Sequence, residues 1–227
     1  MKHVLITGGS DGLGKVTAQK LVEAGYAVTI LSHDAGKTKA AADALGCTYV
    51  VADVGDPQQV HDAVATAVGQ NGEIDVLINS AGMWILGPLE SNAPAEINHA
   101  IRVNTLGTIY CTQAVVAAMK KRSSGRIVNV ISQAGLAAKA ERTVYNASKW
   151  ALTGFTKSLQ LELKPYKVGV VGFYPGAMDT GLFEKAGDMK DRKGALNPAI
   201  AADALVHICA QSNDIDIPEY GIQSLEY

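Results

Sequence analysis

Cysteine is scarce in this chain: Cys47, Cys111 and Cys209 stand far apart among 227 residues. An odd count with no CxxC spacing gives neither a disulfide framework nor a zinc site, and buried free thiols in a reducing compartment are the expectation. A basic excess is missing too. Twenty Lys and Arg stand against twenty-two Asp and Glu, a net charge of −2, so the electrostatic footprint of a nucleic-acid binder is absent. The short run Lys120-Lys121-Arg122 reads as favourable charge at a helix C-terminus. No apolar run approaches the ~18 residues of a membrane span. Val4-Leu5-Ile6, before the first glycines, is too short for a signal-peptide core. His3, His61, His99 and His207 fall at no ligand spacing, so no metal is expected. There is no linker, repeat or low-complexity segment. What remains is 48% hydrophobic, ample for a core, and predicts one domain over residues 1–227, soluble and cytoplasmic, with no nucleic-acid or membrane partner.

Short apolar runs alternate with helix-length amphipathic segments. Strands are expected at Val4–Thr7, Tyr26–Leu31, Thr48–Ala52, Ile74–Asn79, Arg126–Ile131 and Val168–Tyr174, with a last one inside residues 215–225. Helices are expected at Leu13–Ala24, Ala35–Leu45, Pro57 to about Val68, Ala95–Arg122, Val144–Leu163 and Pro198–Gln211. Strict alternation of β and α means a parallel sheet covered on both faces. Ile74–Asn79 is nearly all apolar, as a strand buried on both faces should be. Residues 176–197 form the one long irregular stretch, and loops of that length in compact domains are usually functional.

Thr7-Gly8-Gly9-Ser10-Asp11-Gly12-Leu13-Gly14 joins the first strand to the first helix. Glycines there permit positive φ and close approach of backbone to a phosphate, and the helix N-terminus offers free N–H groups to it. Two readings of the turn stand. As TGxxxGxG it is a dinucleotide-binding turn built by Gly8, Ser10, Asp11, Gly12, Leu13 and Gly14. As GxSxG it is a nucleophile elbow, with Ser10, Asp179 and His207 in the chain order of a hydrolase triad. The elbow reading requires an oxyanion donor from a preceding strand–helix loop, and only nine residues precede Ser10.

Tyr145 and Lys149 lie four apart at the start of a helix and so share a face. Ser132 ends the fifth strand, at the sheet edge where such folds bind ligands. Together they suit the reduction of a carbonyl. The incipient alkoxide needs a proton, a phenol is a poor acid–base group near pH 7 unless its pKa is shifted, and a nearby ammonium shifts it downward. Lys149 is expected to supply that charge and Ser132 to hold the carbonyl oxygen.

The TGxxxGxG turn followed by Ser132 and Tyr145-Asn146-Ala147-Ser148-Lys149 resembles the short-chain dehydrogenase/reductase family, a branch of the Rossmann-like folds. Three further stretches are similar to it. Asp53-Val54 follows the third strand, where the family's Asp meets the adenine amino group. Asn79-Ser80-Ala81-Gly82 resembles the NNAG motif, with Ser for the second Asn. Pro175-Gly176-Ala177-Met178-Asp179-Thr180 resembles PGxxxT, whose Thr contacts the nicotinamide carboxamide. Asn104, an unfavourable residue inside a helix, matches the Asn that helps hold a water linking the lysine to a proton relay.

The resemblance implies a doubly wound parallel sheet of about seven strands, hydride transfer with NAD(P)(H), and a homodimer or homotetramer formed through two long helices. Tyr145 is then the acid–base, Lys149 tunes it and holds the ribose, and Asn104 supports the relay. A non-catalytic dinucleotide-binding regulator of the same fold is the alternative. At the end of the second strand Ser32 stands where NAD-preferring relatives carry an acid, and His33 where NADP-preferring ones often carry Arg, so NADP(H) is expected over NAD(H). Asp34 would take the ribose if the register slipped by two. The substrate, a small carbonyl or alcohol, is expected against Met83, Trp84, Gln133, Ala134, Met178, Leu182 and Phe183.

Overall fold

The computed structural model describes residues 1–182 and 193–226. The apolar runs form seven strands: β1 (His3–Thr7), β2 (Ala27–Ser32), β3 (Thr48–Val51), β4 (Ile74–Asn79), β5 (Gly125–Val130), β6 (Val168–Pro175) and β7 (Glu219–Ile222). Between them run α1 (Gly12–Glu23), α2 (Ala35–Leu45), α3 (Pro57–Asn71), α4 (Pro94–Ile101), α5 (Gly107–Arg122), α6 (Thr143–Leu163) and α7 (Pro198–Ala210). Their starts are encoded locally. Asp11, Asp34, Asp56 and Asn197 cap α1, α2, α3 and α7 by accepting hydrogen bonds from first-turn amides. Pro57 and Pro198 open α3 and α7, where a missing N–H costs nothing.

All strands are parallel, in the order β3-β2-β1-β4-β5-β6-β7. Alternate side chains enter opposite faces. Val4, Ile6, Ile30, Ile78, Val128 and Phe173 pack with α1 and α7. Leu5, Leu31, Leu77, Ile127 and Val170 pack with α3, α5 and the end of α6. Each fully buried aliphatic side chain contributes about 1.5–3 kcal/mol.

The strand order reverses between β1 and β4, opening a crevice at their C-terminal ends. There the Thr7 hydroxyl oxygen accepts N–H bonds from Ser80 and Ala81, at 3.1 and 3.0 Å. These bonds draw the loop after β4 against the glycine turn.

The stretch expected as one helix from Ala95 to Arg122 is α4 and α5 joined through a wider π-turn at Arg102–Leu106. At the far end of the sheet, His3 bridges the Gly72 carbonyl and the Thr29 hydroxyl, both at 2.8 Å. Arg126, 2% exposed, donates to the carbonyls of Ile208, Gln211, Ser212 and Ile215 beyond β5. Among the described residues, no helix is long and apolar enough to cross a membrane, and no three His, Cys, Asp or Glu gather as a metal site.

Candidate active site

A cavity of about 520 Å³ lies over the C-terminal ends of β1, β4, β5 and β6. Its floor is the glycine turn. Gly8 has φ +69°, and a Cβ there would stand 2.8 Å from the Ala81 Cα, so only glycine fits. A Cβ on Gly14 would strike the Gly8 carbonyl, while one on Gly12 (φ +50°) would point into the gap toward Thr180, 3.8 Å away. The turn is thus bare on its open side and ends in the positive pole of α1, which is what a pyrophosphate needs. Gly9 serves the fold instead, because a Cβ would lie 2.6 Å from Ile30 and its bareness lets the turn rest on β2. Leu13 and Ser10 line the same cavity, and the Ser10 hydroxyl donates to Ser32 at 2.9 Å.

Ser32, His33, Asp34 and Lys37 close one end. The Asp34 carboxylate is engaged by α2: Oδ1 accepts the Lys37 N–H at 2.9 Å, and Oδ2 lies 3.7 Å from the Lys37 ammonium. That amide bond holds its pKa below the ordinary carboxylate value. Asp53 and Val54 line the wall. Asp53 accepts the Gly55 N–H at 2.8 Å and an Arg102 bond at 2.6 Å, and Val54 packs where Gly107 leaves room. These residues present a hydroxyl, carboxylates and an apolar wall to that end of the cavity.

Asn79 departs from the expectation. It does not line the cavity; its amide nitrogen donates to Asn129 Oδ1 (2.9 Å) and the Thr112 hydroxyl (3.2 Å), stitching β4 to β5 and α5. Odd and even residues of a strand face opposite ways, and Asn79 is paired register-for-register with Asn129. Its followers Ala81 and Gly82 do line the cavity.

Ser132, Tyr145 and Lys149 converge on the same space. Ser132 has φ +137°, a conformation costing a non-glycine residue about 1–3 kcal/mol and common at functional sites. Tyr145 is buried, and burial pushes its phenol up to about 12, with the Ser132 hydrogen bond and the Arg142 charge pulling against it. Lys149 is pushed down to about 8 by burial. Its ammonium donates to the Val130 carbonyl at 3.1 Å and stands 5.7 Å from the Tyr145 ring centre. The downward shift of the phenol expected from Lys149 is therefore not found: desolvation is the largest influence on Tyr145 and raises it.

Asn104 lies behind this group, fully buried in the π-turn. Its amide bridges Met83, accepting the N–H at 2.8 Å and donating to the carbonyl at 3.0 Å, and reaches the Ser148 hydroxyl at 3.1 Å. A Cβ on Gly82 would stand 3.3 Å from its Oδ1 and 3.9 Å from Lys149 Nζ, so Asn104, Gly82 and Lys149 form one packed set. π-turns recur at functional sites.

Pro175, Gly176, Met178, Thr180 and Leu182 form the far wall with Met83, Trp84, Gln133 and Ala134. Trp84 lies edge-on to Tyr145, ring centres 4.3 Å apart. Gln133 is anchored by a 3.0 Å bond to the Tyr174 carbonyl. Phe183 lies outside the described residues, as do residues 184–192 of the long loop. The triad alternative does not assemble: Ser10 donates to Ser32, while His207 is exposed on α7 and faces Gln211. Lys37, Lys139 and Arg142, which also line the cavity, were missed in the sequence, where nothing separates them from surface cations.

A family model described as short chain dehydrogenase matches residues 2–191. The chain is 35% identical over 198 residues to a 3-ketodihydrosphingosine reductase of Bos taurus, covering 83% of this chain and 60% of that one. The chain therefore spans about three-fifths of the length of that curated relative. A Thermococcus sibiricus alcohol dehydrogenase complexed with 5-hydroxy-NADP superposes with a TM-score of 0.92 at 25% identity, covering 100% and 98% of the two chains. A Brucella melitensis 3-ketoacyl-(acyl-carrier-protein) reductase complexed with NADH does so with a TM-score of 0.90 at 27% identity, covering 97% and 96%.

Proposed function

From the chain's membership of the short-chain dehydrogenase family, we propose that it is an oxidoreductase that reduces a carbonyl, or oxidises the alcohol, with a nicotinamide dinucleotide, NADP(H) preferred over NAD(H). The observation that carries this reading is the convergence of Ser132, Tyr145 and Lys149 on the cavity floored by the bare glycine turn. Relatives and structural neighbours named as reductases and dehydrogenases support it.

The glycine turn and the α1 N-terminus would hold the pyrophosphate, Asp53 and Val54 the adenine wall, and Thr180 the carboxamide end. Bound there in reduced form, the dinucleotide supplies a hydride. The chain's own groups do the rest. Ser132 orients the carbonyl oxygen. Tyr145, kept protonated by burial, gives its proton to that oxygen as negative charge develops. The Lys149 ammonium stabilises the phenolate left behind, and Asn104 fixes the loop and helix that carry Lys149. Positioned acid catalysis of this kind contributes about 10²–10⁴-fold.

The NADP(H) preference is supported by Ser10, Ser32, His33 and Lys37, which offer hydroxyls and nitrogen donors to a 2′-phosphate at the N-terminus of α2. Asp34, the acid that follows Ser32 and His33, is turned to its own helix. Assembly as a homodimer or homotetramer is part of the same reading, favoured by exposed Trp150 and Leu161 on α6.

The test follows the absorbance of NADPH and of NADH against ketones, diketones, quinones and aldehydes, with cofactor binding titrated alongside. Turnover favouring NADPH is expected, with Tyr145→Phe losing at least about 100-fold while still binding dinucleotide. Turnover favouring NADH would overturn the cofactor preference and point to Asp34. Dinucleotide binding with no turnover on any carbonyl would favour the non-catalytic regulator.

A further inference from the structure

The cavity is charged unevenly. Among the described residues its carboxylates are Asp11, Asp34 and Asp53, all at the dinucleotide end. Asp11 and Asp34 cap α1 and α2, and Asp53 holds Arg102. Around Tyr145 the described lining contains no carboxylate, but it contains Arg142, Lys139 and His99.

Arg142 is the informative one. It occupies the N-cap of α6, three residues before Tyr145, and no side chain caps that 21-residue helix. A cation at a helix N-terminus opposes the macrodipole, so stability alone gives no reason for it there. The guanidinium is nevertheless held in place, 5.0 Å from the Trp84 ring centre, and that ring contacts Tyr145. Among the described residues Arg142 makes no ion pair. Its chain neighbour Glu141 is exposed, and Glu96 of α4 is turned back to the Ala93 amide; neither lines the cavity. A half-buried guanidinium fork and a second cation, both lining one cavity, are complementary to an anion of planar geometry.

We propose that the carbonyl substrate bears a carboxylate, received by Arg142 with Lys139 at the rim, and that Arg142 determines specificity for oxo acids over neutral and cationic ketones. This rests on the oxidoreductase reading, since it assigns the substrate of that site. Trp84 holds the guanidinium beside the cavity wall, and the apolar groups Met83, Met178 and Leu182 receive the chain between carboxylate and carbonyl.

The experiment compares 3-, 4- and 5-oxo acids with their methyl esters and with amino ketones of equal length, using NADPH and wild type, Arg142→Gln and Arg142→Lys. In parallel, calorimetry titrates the matching saturated acids into wild type and Arg142→Gln loaded with NADP⁺. An acid favoured over its ester by about tenfold or more in kcat/KM is expected. Arg142→Gln should lose that preference mainly through KM, keep its NADPH affinity, and lose the calorimetric signal, with Arg142→Lys intermediate. Esters or amino ketones used as well as acids would overturn the proposal, as would an Arg142→Gln enzyme unchanged toward acids. If no ketone turns over, the calorimetry decides: a saturated acid bound no better by wild type than by Arg142→Gln overturns it. Failure to bind dinucleotide is a separate result that overturns the oxidoreductase reading itself, and full turnover by Tyr145→Phe would overturn only the acid role of Tyr145.

Discussion

Burial acts in opposite directions on the two titrating groups of the site. It raises Tyr145 to about 12 and lowers Lys149 to about 8, because water leaves both and each prefers its neutral form. Lys149 is cationic below its pKa and neutral above it. Its charge stabilises the phenolate formed when Tyr145 gives up a proton, so reduction should weaken as pH rises past about 8. The expected kcat/KM profile for reduction is level near neutrality and falls on the alkaline side, and Lys149→Arg should move that limb upward. A limb at the same pH in both proteins would assign it to another group. Tyr145 and Lys149 were legible because four residues of helix put them on one face. Arg142 was not, because only its contact with Trp84 distinguishes it from a surface arginine.

Among the elements, α7 depends on a residue of a distant strand. Arg126 reaches out of β5 past Gly169, where a Cβ would stand 3.3 Å from its guanidine nitrogen. It binds the last carbonyls of α7 and the segment leading to β7. Replacing Arg126 by Met should leave several buried carbonyls unpaired, at about 1–3 kcal/mol each. The expected outcome is a loss of about 3–5 kcal/mol in urea unfolding. It should come with faster thiol labelling of Cys209, which is buried and pushed up to about 12. Stability within about 0.5 kcal/mol of the parent would show that solvent replaces the clamp. The π-turn between α4 and α5 is the other interrupted element. An asparagine inside a helical stretch signalled that something was unusual there, but its pairing with Met83 and Ser148 required the fold.

For the whole molecule, the two ends of the sheet serve separate purposes. The C-terminal ends of the strands carry the candidate site, and the opposite end carries a partly buried polar network of His3, Thr29, Thr48 and Asn71. Burial lowers the His3 pKa, against the opposing influence of the Gly72 carbonyl and Asp75. With the folded value below 6.5, the unfolded chain binds more protons in the window beneath it. Stability is therefore full above about 6.5 and declines as pH falls toward the folded value, with a slope of at most about 1.4 kcal/mol per pH unit. Urea midpoints between about pH 7.5 and about 5.5 should show this decline in the parent and a flatter course in His3→Gln. Equal slopes would assign the acid limb elsewhere.

Sequence alone determined the alternation of strands and helices, the bare glycine turn, the helix starts near Leu13, Ala35, Pro57 and Pro198, and the Tyr–Lys pair. All of these are expressed by neighbours along the chain, through periodicity, capping and spacing. Tertiary structure decided the rest. It set the order of strands that opens the crevice between β1 and β4, and it turned Asn79 inward to Asn129 rather than toward the cavity. It engaged Asp34 with its own helix, stacked Arg142 on Trp84 and withdrew water from Tyr145 and Lys149. Those outcomes depend on contacts between residues far apart in the chain and on the desolvation that packing imposes, neither of which local spacing expresses.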